Sequence, residues 1–210
     1  MPRPTCPVCA RPLRRDFFLR EPPWVARALL GKLLVRREPG KWLAGRIVET
    51  EAYLGQDDPA AHAAAGRTPR NAVLYGPPGH AYVYLIYGNH FCLNVSCLPE
   101  GVAGCVLFRA LEPIAGMAEM AHSRKLNQQQ LWGQRVCLLT SGPGRLTQAL
   151  AITRQRDNGK DLLAAHSDLL LLDDGFHPQR ISVTPRIGIT KAAERPLRYL
   201  IADNPFVSKG

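Results

Sequence analysis

The stretch Ala81–Ser96, AYVYLIYGNHFCLNVS, decides how the rest of the chain is read. It divides into two runs of strand-forming residues, Ala81–Tyr87 and His90–Ser96, on either side of Gly88-Asn89. Both turn residues tolerate positive φ, which tight two-residue loops require, so the segment predicts a β-hairpin. Side chains alternate along a strand, placing Tyr82, Tyr84 and Ile86 on one face and Val83, Leu85 and Tyr87 on the other. Aromatic and β-branched residues favour strands in general. A large ring beside a hairpin tip, as at Tyr87, nevertheless has little core to pack into, and points to insertion into something else.

Outward from the hairpin, Gly66–Gly79 (GRTPRNAVLYGPPG) is a basic loop rich in Gly and Pro. Before it, Lys41–Thr50 alternates as a strand that continues toward Tyr53, with Ile47, Glu49 and Glu51 on one face. Leu33–Arg37 reads as its partner across the turn tripeptide Glu38-Pro39-Gly40. Pro22-Pro23 opens a helix in which Val25, Leu29, Leu30 and Leu33 fall near helical spacing. Asp58 and Pro59 begin a short helical turn that carries His62. After the hairpin, Gly104–Ala110 (GCVLFRA) is an apolar strand with Arg109 in it, and an isolated buried charge is costly unless partnered. Pro113 predicts a helix to about Lys125; Trp132–Leu139 and Arg145–Ala151 also read as helical. Leu169–Leu172, Ile181–Val183 and Leu197–Ile201 complete the strands. Strands and helices do not alternate regularly. The expected fold is α+β, a single mixed domain with a curved, mainly antiparallel sheet, flanking helices and a protruding β-hairpin.

At 210 residues with 46% hydrophobic content, the chain can bury one sizeable core. It contains no run of 18 apolar residues and no apolar block behind its basic N-terminus, so a soluble intracellular protein without membrane contact is expected. Lys and Arg number 27 against 17 Asp and Glu, a net charge of +10 that favours polyanionic partners. Yet Ile47–Gly66 holds Glu49, Glu51, Asp57 and Asp58 and no Lys or Arg. An acidic island in a basic protein reads as chemistry enclosed by a polyanion-binding surface, although a solvated turn accounts equally well for Asp57 and Asp58. Residues 1–15 read as a flexible Pro- and Arg-rich extension, with residues 16–207 as the domain. Cys6 and Cys9 in the extension form a CxxC that lacks the second pair a zinc ribbon needs.

Carboxylates, an aromatic two residues on at Tyr53, His62, the tyrosine-rich hairpin, Asn94 and Arg109 together suit hydrolysis of a nucleic-acid substrate. A carboxylate can take a water's proton as the water attacks a carbon with oxocarbenium character. Flat aromatic rings suit a base removed from the stack. Spacing alone does not choose between Glu49 and Glu51. His62 alone also fits a capped surface histidine, and Arg109 a structural ion pair.

The segments LLGKLLV, GRIVETEAYLG, DPAAH, RTPRN, YVYLIYG, FCLN, LFRALEP, SGPGRLTQAL and RPLRY, in this order from about Asp16 to Val207, resemble the mammalian-type alkyladenine (3-methyladenine) DNA glycosylases. The resemblance implies a monofunctional base-excision enzyme that needs no cofactor and acts as a monomer on double-stranded DNA containing damaged purines. It implies Glu51 as the base that activates water and Arg109 as the residue that helps hold that water. Tyr53, His62, Tyr84 and Asn94 would form the base pocket, with the backbone near Ile189 touching the water. Tyr87 would enter the DNA, and Arg67, Arg70 and Arg145 are candidates for its backbone. Asn89 and His90 depart from the bulkier apolar residue the family often has at the tip. No lysine lies in the matched site motifs, so no Schiff base or lyase step is expected. Two other readings share these residues: a binding module with no use for Glu51, and a metal-dependent hydrolase built on Glu49, Glu51, Asp57, Asp58 and His62.

Overall fold

The computed structural model describes residues 10–86, 88–127 and 133–209, so the expectations for Cys6, Cys9 and Tyr87 lie outside the described residues. Among the described residues, nine strands form one curled antiparallel sheet joined by a few short helices, an α+β domain. The strands are β1 (Arg11–Pro12), β2 (Leu33–Glu38), β3 (Lys41–Tyr53), β4 (Ala81–Ile86), β5 (His90–Ser96), β6 (Cys105–Ala115), β7 (Leu169–Asp173), β8 (Ile181–Thr184) and β9 (Arg198–Ile201). The helices are α1 (Pro22–Leu29), α2 (Met117–Ser123), α3 (Pro143–Ala149) and α4 (Arg154–Asp157).

β3 organises the sheet. One of its edges pairs with β6 along most of its length, while the other is shared by β2 over Lys41–Arg46 and by β9 over Glu49–Glu51. Its apolar side chains and those of β6 (Ile47, Ala52, Val106, Phe108 and Leu111) are buried in a core completed by α1, α3 and residues such as Val25, Leu29, Leu146 and Leu150. Thr50 ties α1 to the strand, its Oγ1 donating to Ala26 O at 2.9 Å.

The β3–β6 ladder is irregular where the charged residues sit. Ile47 pairs with Leu111, Glu49 with Ala110 and Thr50 with Phe108, so Val48 and Arg109 are skipped on opposite strands. Bulges of this kind re-aim side chains locally. The two offsets cancel, and the ladder continues regularly from Thr50 to Tyr53.

The hairpin forms where expected, β4 pairing with β5 from Ala81–Val95 to Ile86–His90, but this register leaves three positions between the last pair and not the two of the expected Gly88-Asn89 loop. Alternation along β4 holds as expected: Val83 enters the main core, while Tyr82 and Tyr84 pack with a smaller cluster of Ala63, Leu74, Tyr75 and Cys105. β5 pairs with β6 only at Asn94, Val95 and Ser96, so the hairpin projects beyond the sheet, and Leu85 is exposed. α3 supports its second strand, with Thr147 Oγ1 donating to Phe91 O at 2.9 Å.

Three local expectations are corrected. Pro113 does not begin a helix; β6 runs on to Ala115, and α2 starts only after Gly116, whose φ is +76°. Beyond Leu107 β6 has no ladder to β5, and a proline is tolerated at such a free edge because no partner needs its missing N–H. Residues 11–15 are not a free extension: β1 pairs with β7, and Arg15 binds Pro78 O at 2.5 Å and Asp161 at 2.6 Å. Asp58 is no solvated turn residue but is fully buried.

The turn leading to Asp58 depends on Gly55, whose φ is +87° and where an added Cβ would lie 2.0 Å from Ala103 O. Gly55→Ala therefore combines left-handed strain with a backbone collision. It is expected to cost about 2–4 kcal/mol of stability, read as a lowered midpoint in urea unfolding.

Candidate active site

Glu49 and Glu51 share a strand face, as alternation requires, but their surroundings assign them different chemistry. Glu49 is saturated. Its Oε1 accepts from Arg109 Nε at 2.8 Å, Arg198 Nε at 2.6 Å and Ser208 Oγ at 2.9 Å. Its Oε2 accepts the Ser208 N–H at 2.7 Å. Two guanidiniums and two further donors hold this carboxylate as a structural counter-ion.

Glu51 is also fully buried, yet more sparingly partnered. Oε1 accepts the Ile187 N–H at 2.8 Å and lies 3.2 Å from Arg109 Nη1; Oε2 accepts the Tyr53 hydroxyl at 2.9 Å. A carboxylate oxygen has two lone pairs, so with one described donor Oε2 retains acceptor capacity for a further hydrogen bond. Burial is the largest influence on Glu51 and raises its pKa above the ordinary carboxylate value; Arg109, the Ile187 N–H and Tyr53 oppose it, and Glu49 adds to it. A buried carboxylate with a raised pKa is a better proton acceptor than a solvated one. Burial, and then the neighbouring Glu51 charge, push the Tyr53 pKa far above the usual phenol value, so it remains a donor.

Beyond Tyr53 opens a cavity of about 230 Å³, lined by Tyr53, His62, Tyr84, Asn94 and Ile189 among others. This is below the ~300–1,000 Å³ usual for drug-sized ligands and suits a single heterocycle. His62 stands at the exposed mouth with its Nδ1 2.8 Å from Tyr82 Oη and its ring 4.4 Å from that of Tyr84 at 65°. Packing of the ring against these tyrosines, and then the Arg70 charge, push the His62 pKa below its ordinary value. The shift favours the neutral imidazole. At the wall Asn94 donates from Nδ2 to Tyr82 O at 3.2 Å, while the Cys105 thiol approaches its Oδ1 at 3.8 Å. Burial raises the Cys105 pKa to about 12, so this sulfur stays a thiol.

The remaining sequence candidates fall around this assembly. Arg70 lines the same cavity, with its guanidinium 5.7 Å from the Tyr84 ring centre. Arg67 lies 5.9 Å over the Tyr75 ring. Arg145 borders a second cavity of about 500 Å³ together with His90, Arg109 and Lys209. Through Tyr53 and Arg109, Glu51 thus joins side chains that line both cavities. Ile189 lines the first cavity, but the backbone donor to Glu51 is Ile187.

Sequence reasoning assigned no role to Arg186, Arg198 and Ser208, and named Tyr82 only by its strand face. Tyr82 is buried, but it also lines the cavity and holds His62. Asp58 grips Arg186 through both carboxylate oxygens, and Arg186 in turn lies 4.6 Å over the Tyr53 ring. Asp58 is therefore committed to a guanidinium, and among the described residues no three His, Cys, Asp or Glu side chains converge in a way that could hold a metal ion.

A buried carboxylate of raised pKa is thus joined by a tyrosine to a small aromatic cavity in a basic domain. The profile of the methylpurine-DNA glycosylases matches residues 16–205. A protein of Koribacter versatilis is 63% identical over 208 residues, covering 99% of this chain and 98% of the relative. Proteins of Anaeromyxobacter dehalogenans and Prosthecochloris aestuarii are 47% and 46% identical, covering 94% and 93% of this chain and 85% and 90% of their own lengths. All three bear the name "Putative 3-methyladenine DNA glycosylase". The chain belongs to the methylpurine-DNA glycosylase family, DNA-repair hydrolases that act on alkylated bases.

Proposed function

We propose that this protein draws an alkylated or deaminated purine nucleotide out of duplex DNA, seats the base between Tyr53 and Tyr84 beside His62, and hydrolyses its N-glycosidic bond with a water activated by Glu51. The observation that carries this reading is the Glu51 carboxylate, buried yet with acceptor capacity to spare, one hydroxyl removed from an aromatic cavity the size of a base. In the reaction the water oxygen bonds to C1′, its proton passes to Glu51, and the base departs with the electron pair of the broken bond. Arg109 holds Glu51 and orients the water from the opposite side.

The cavity's chemistry agrees. A cationic alkylated purine stacks well on electron-rich tyrosine faces, and a neutral His62 at the edge can hydrogen-bond without repelling it. Asn94, with its amide fixed, disfavours a purine bearing an extra exocyclic amine. Extrusion costs a few kcal/mol, least at damaged bases, and Tyr87 is assigned to fill the vacated place. The partner is double-stranded DNA, met by a monomer in a reducing intracellular setting, to which the net charge of +10 and the buried thiols Cys92, Cys97 and Cys105 are suited.

The test is single-turnover excision from duplexes bearing hypoxanthine, ethenoadenine, 7-methylguanine or undamaged adenine, with EDTA present, for the wild type and Glu51→Gln. Lesion-dependent release of free base that vanishes in the variant is expected. Intact binding without release on any lesion would leave a damage-binding module instead, and loss of activity in EDTA would favour the metal-dependent reading. In the same reactions, sodium borohydride should trap no covalent protein–DNA adduct, because hydrolysis by water forms no Schiff base; a trapped adduct would overturn the monofunctional assignment.

A further inference from the structure

The segment after β9 returns to the site from the far end of the sequence. Asn204 anchors it to Glu112 at 3.0 Å, and Ser141 Oγ donates to Val207 O at 3.3 Å. Ser208, which is itself buried, then meets three charged residues at once. Its N–H and Oγ–H donate to the two oxygens of Glu49 at 2.7 and 2.9 Å. Its Oγ accepts from Arg109 Nη2 at 3.3 Å, and its carbonyl accepts from Arg198 Nη2 at 3.1 Å.

The Arg109 guanidinium is a planar fork, and its three nitrogens here face three different residues. Nε is on Glu49, Nη2 on Ser208 and Nη1 faces Glu51. Two of these contacts fix the plane; the third is the one used in the reaction. Resting on the proposed role of Glu51, we infer that Ser208 is a positioning residue, which holds Glu49 and the outer edge of Arg109 so that Nη1 is presented to Glu51. Without the hydroxyl, Glu49 loses a donor and draws more heavily on Arg109, and Nη2 loses its acceptor. The guanidinium then turns from Glu51.

This has a consequence for proton uptake. The titratable or charged groups around Glu51 are Glu49 and Tyr53 on β3, Arg109 on β6, Cys92 on β5, and Arg186 and, through Glu49, Arg198 from the last part of the chain. Of these, Arg109 is the largest influence lowering the Glu51 pKa, so any loosening of Arg109 moves the acid limb of the rate profile to higher pH.

The experiment compares wild type, Ser208→Ala, Ser208→Thr and Glu51→Gln in single-turnover excision of hypoxanthine across pH, together with duplex affinity and thermal unfolding. Ser208→Ala should lose roughly tenfold in rate, within the ~10²-fold cost of a small misplacement at a reacting centre. Its acid limb should rise in pH while affinity stays near wild type, and its unfolding midpoint should fall by a few degrees because a buried guanidinium donor is left without its acceptor. Ser208→Thr, which keeps the hydroxyl, should restore both rate and limb. An acid limb that stays in place in Ser208→Ala, or that Ser208→Thr leaves displaced, overturns the inference even if the rate or stability falls. The controls separate this failure from that of the parent reading: a fully active Glu51→Gln, or a wild type that releases neither hypoxanthine nor an alkylated purine from duplexes assayed beside it, defeats the role of Glu51 itself.

Discussion

In Glu51→Gln, base release should fall by roughly 10²–10⁴-fold, the usual loss when a general base is removed, while the folded protein is no less stable at neutral pH. The two halves have one cause. Glu51 is placed where burial resists its charge, so its folded-state pKa lies above the unfolded value. For such an acid the unfavourable contribution is absent below the unfolded pKa and grows as pH rises through the folded one. The neutral amide escapes it. Gln also fits the contacts: its oxygen can keep the Ile187 N–H and Arg109, and its NH₂ can donate to the Tyr53 hydroxyl, which turns from donor to acceptor. Arg109 keeps Glu49 as its counter-ion. Thermal unfolding of both proteins at pH 7 and pH 4 is the check, and any stability advantage of the variant should shrink at the lower pH. In the wild type the ionised carboxylate is the active form, so the rate should fall with acid on a limb above the ordinary carboxylate range. A variant that unfolds several degrees earlier at pH 7 would show Glu51 to be a structural counter-ion like Glu49.

Arg186→Ala should cost about 3–5 kcal/mol, the penalty for stranding one member of a buried ion pair. Arg186 and Asp58 both have fully buried side chains, joined through both carboxylate oxygens, and Arg186 Nη1 also donates to Ala52 O at 3.1 Å. Burial alone would raise the Asp58 pKa, but Arg186 and the N–H groups of Ala60 and Leu54 outweigh it and hold it below the ordinary value. Stability from a depressed carboxylate is present above the unfolded pKa and lost as pH falls through the folded one. Urea unfolding should therefore show a gap between wild type and variant that is widest at neutral pH and narrows in acid. Activity should suffer beyond the loss of folded protein, because Arg186 covers the Tyr53 ring and immediately precedes Ile187, the backbone donor to Glu51. A gap that does not change with pH would mean that lost packing, not the ion pair, sets the cost.

The sequence made the frame of this molecule legible wherever local chemistry decides structure. Gly88-Asn89 and the alternation around it located the hairpin, and β2, β3, β7, β8 and β9 appear within a few residues of their expected places. Pro113 misled because a proline's meaning depends on whether a neighbouring strand needs its N–H, which is a fact of topology. The site divides in the same way. Glu51, Tyr53 and His62 could be named from one continuous segment, but what separates Glu51 from Glu49 is contributed by Arg198 and Ser208, about 150 residues further on. No periodicity marks an arginine in a loop as the partner of an aspartate 128 positions away, so Arg186 and Asp58 were invisible as a pair.

The skipped residues Val48 and Arg109 also determine which changes in chain length the protein can absorb. Their offsets cancel within a few residues, so the ladder outside this patch is unaware of them. Deleting a residue from either strand here would remove one offset and leave the other uncompensated. Every side chain beyond it would then exchange faces, turning Glu51 or Arg109 toward the apolar core. Substitutions in this patch act on one contact at a time, whereas an insertion or deletion acts on the whole site. The loops that end these strands, at Glu38-Pro39-Gly40 and Pro99-Glu100-Gly101, carry no such constraint, and there the chain can grow or shorten while the two bulges remain opposed.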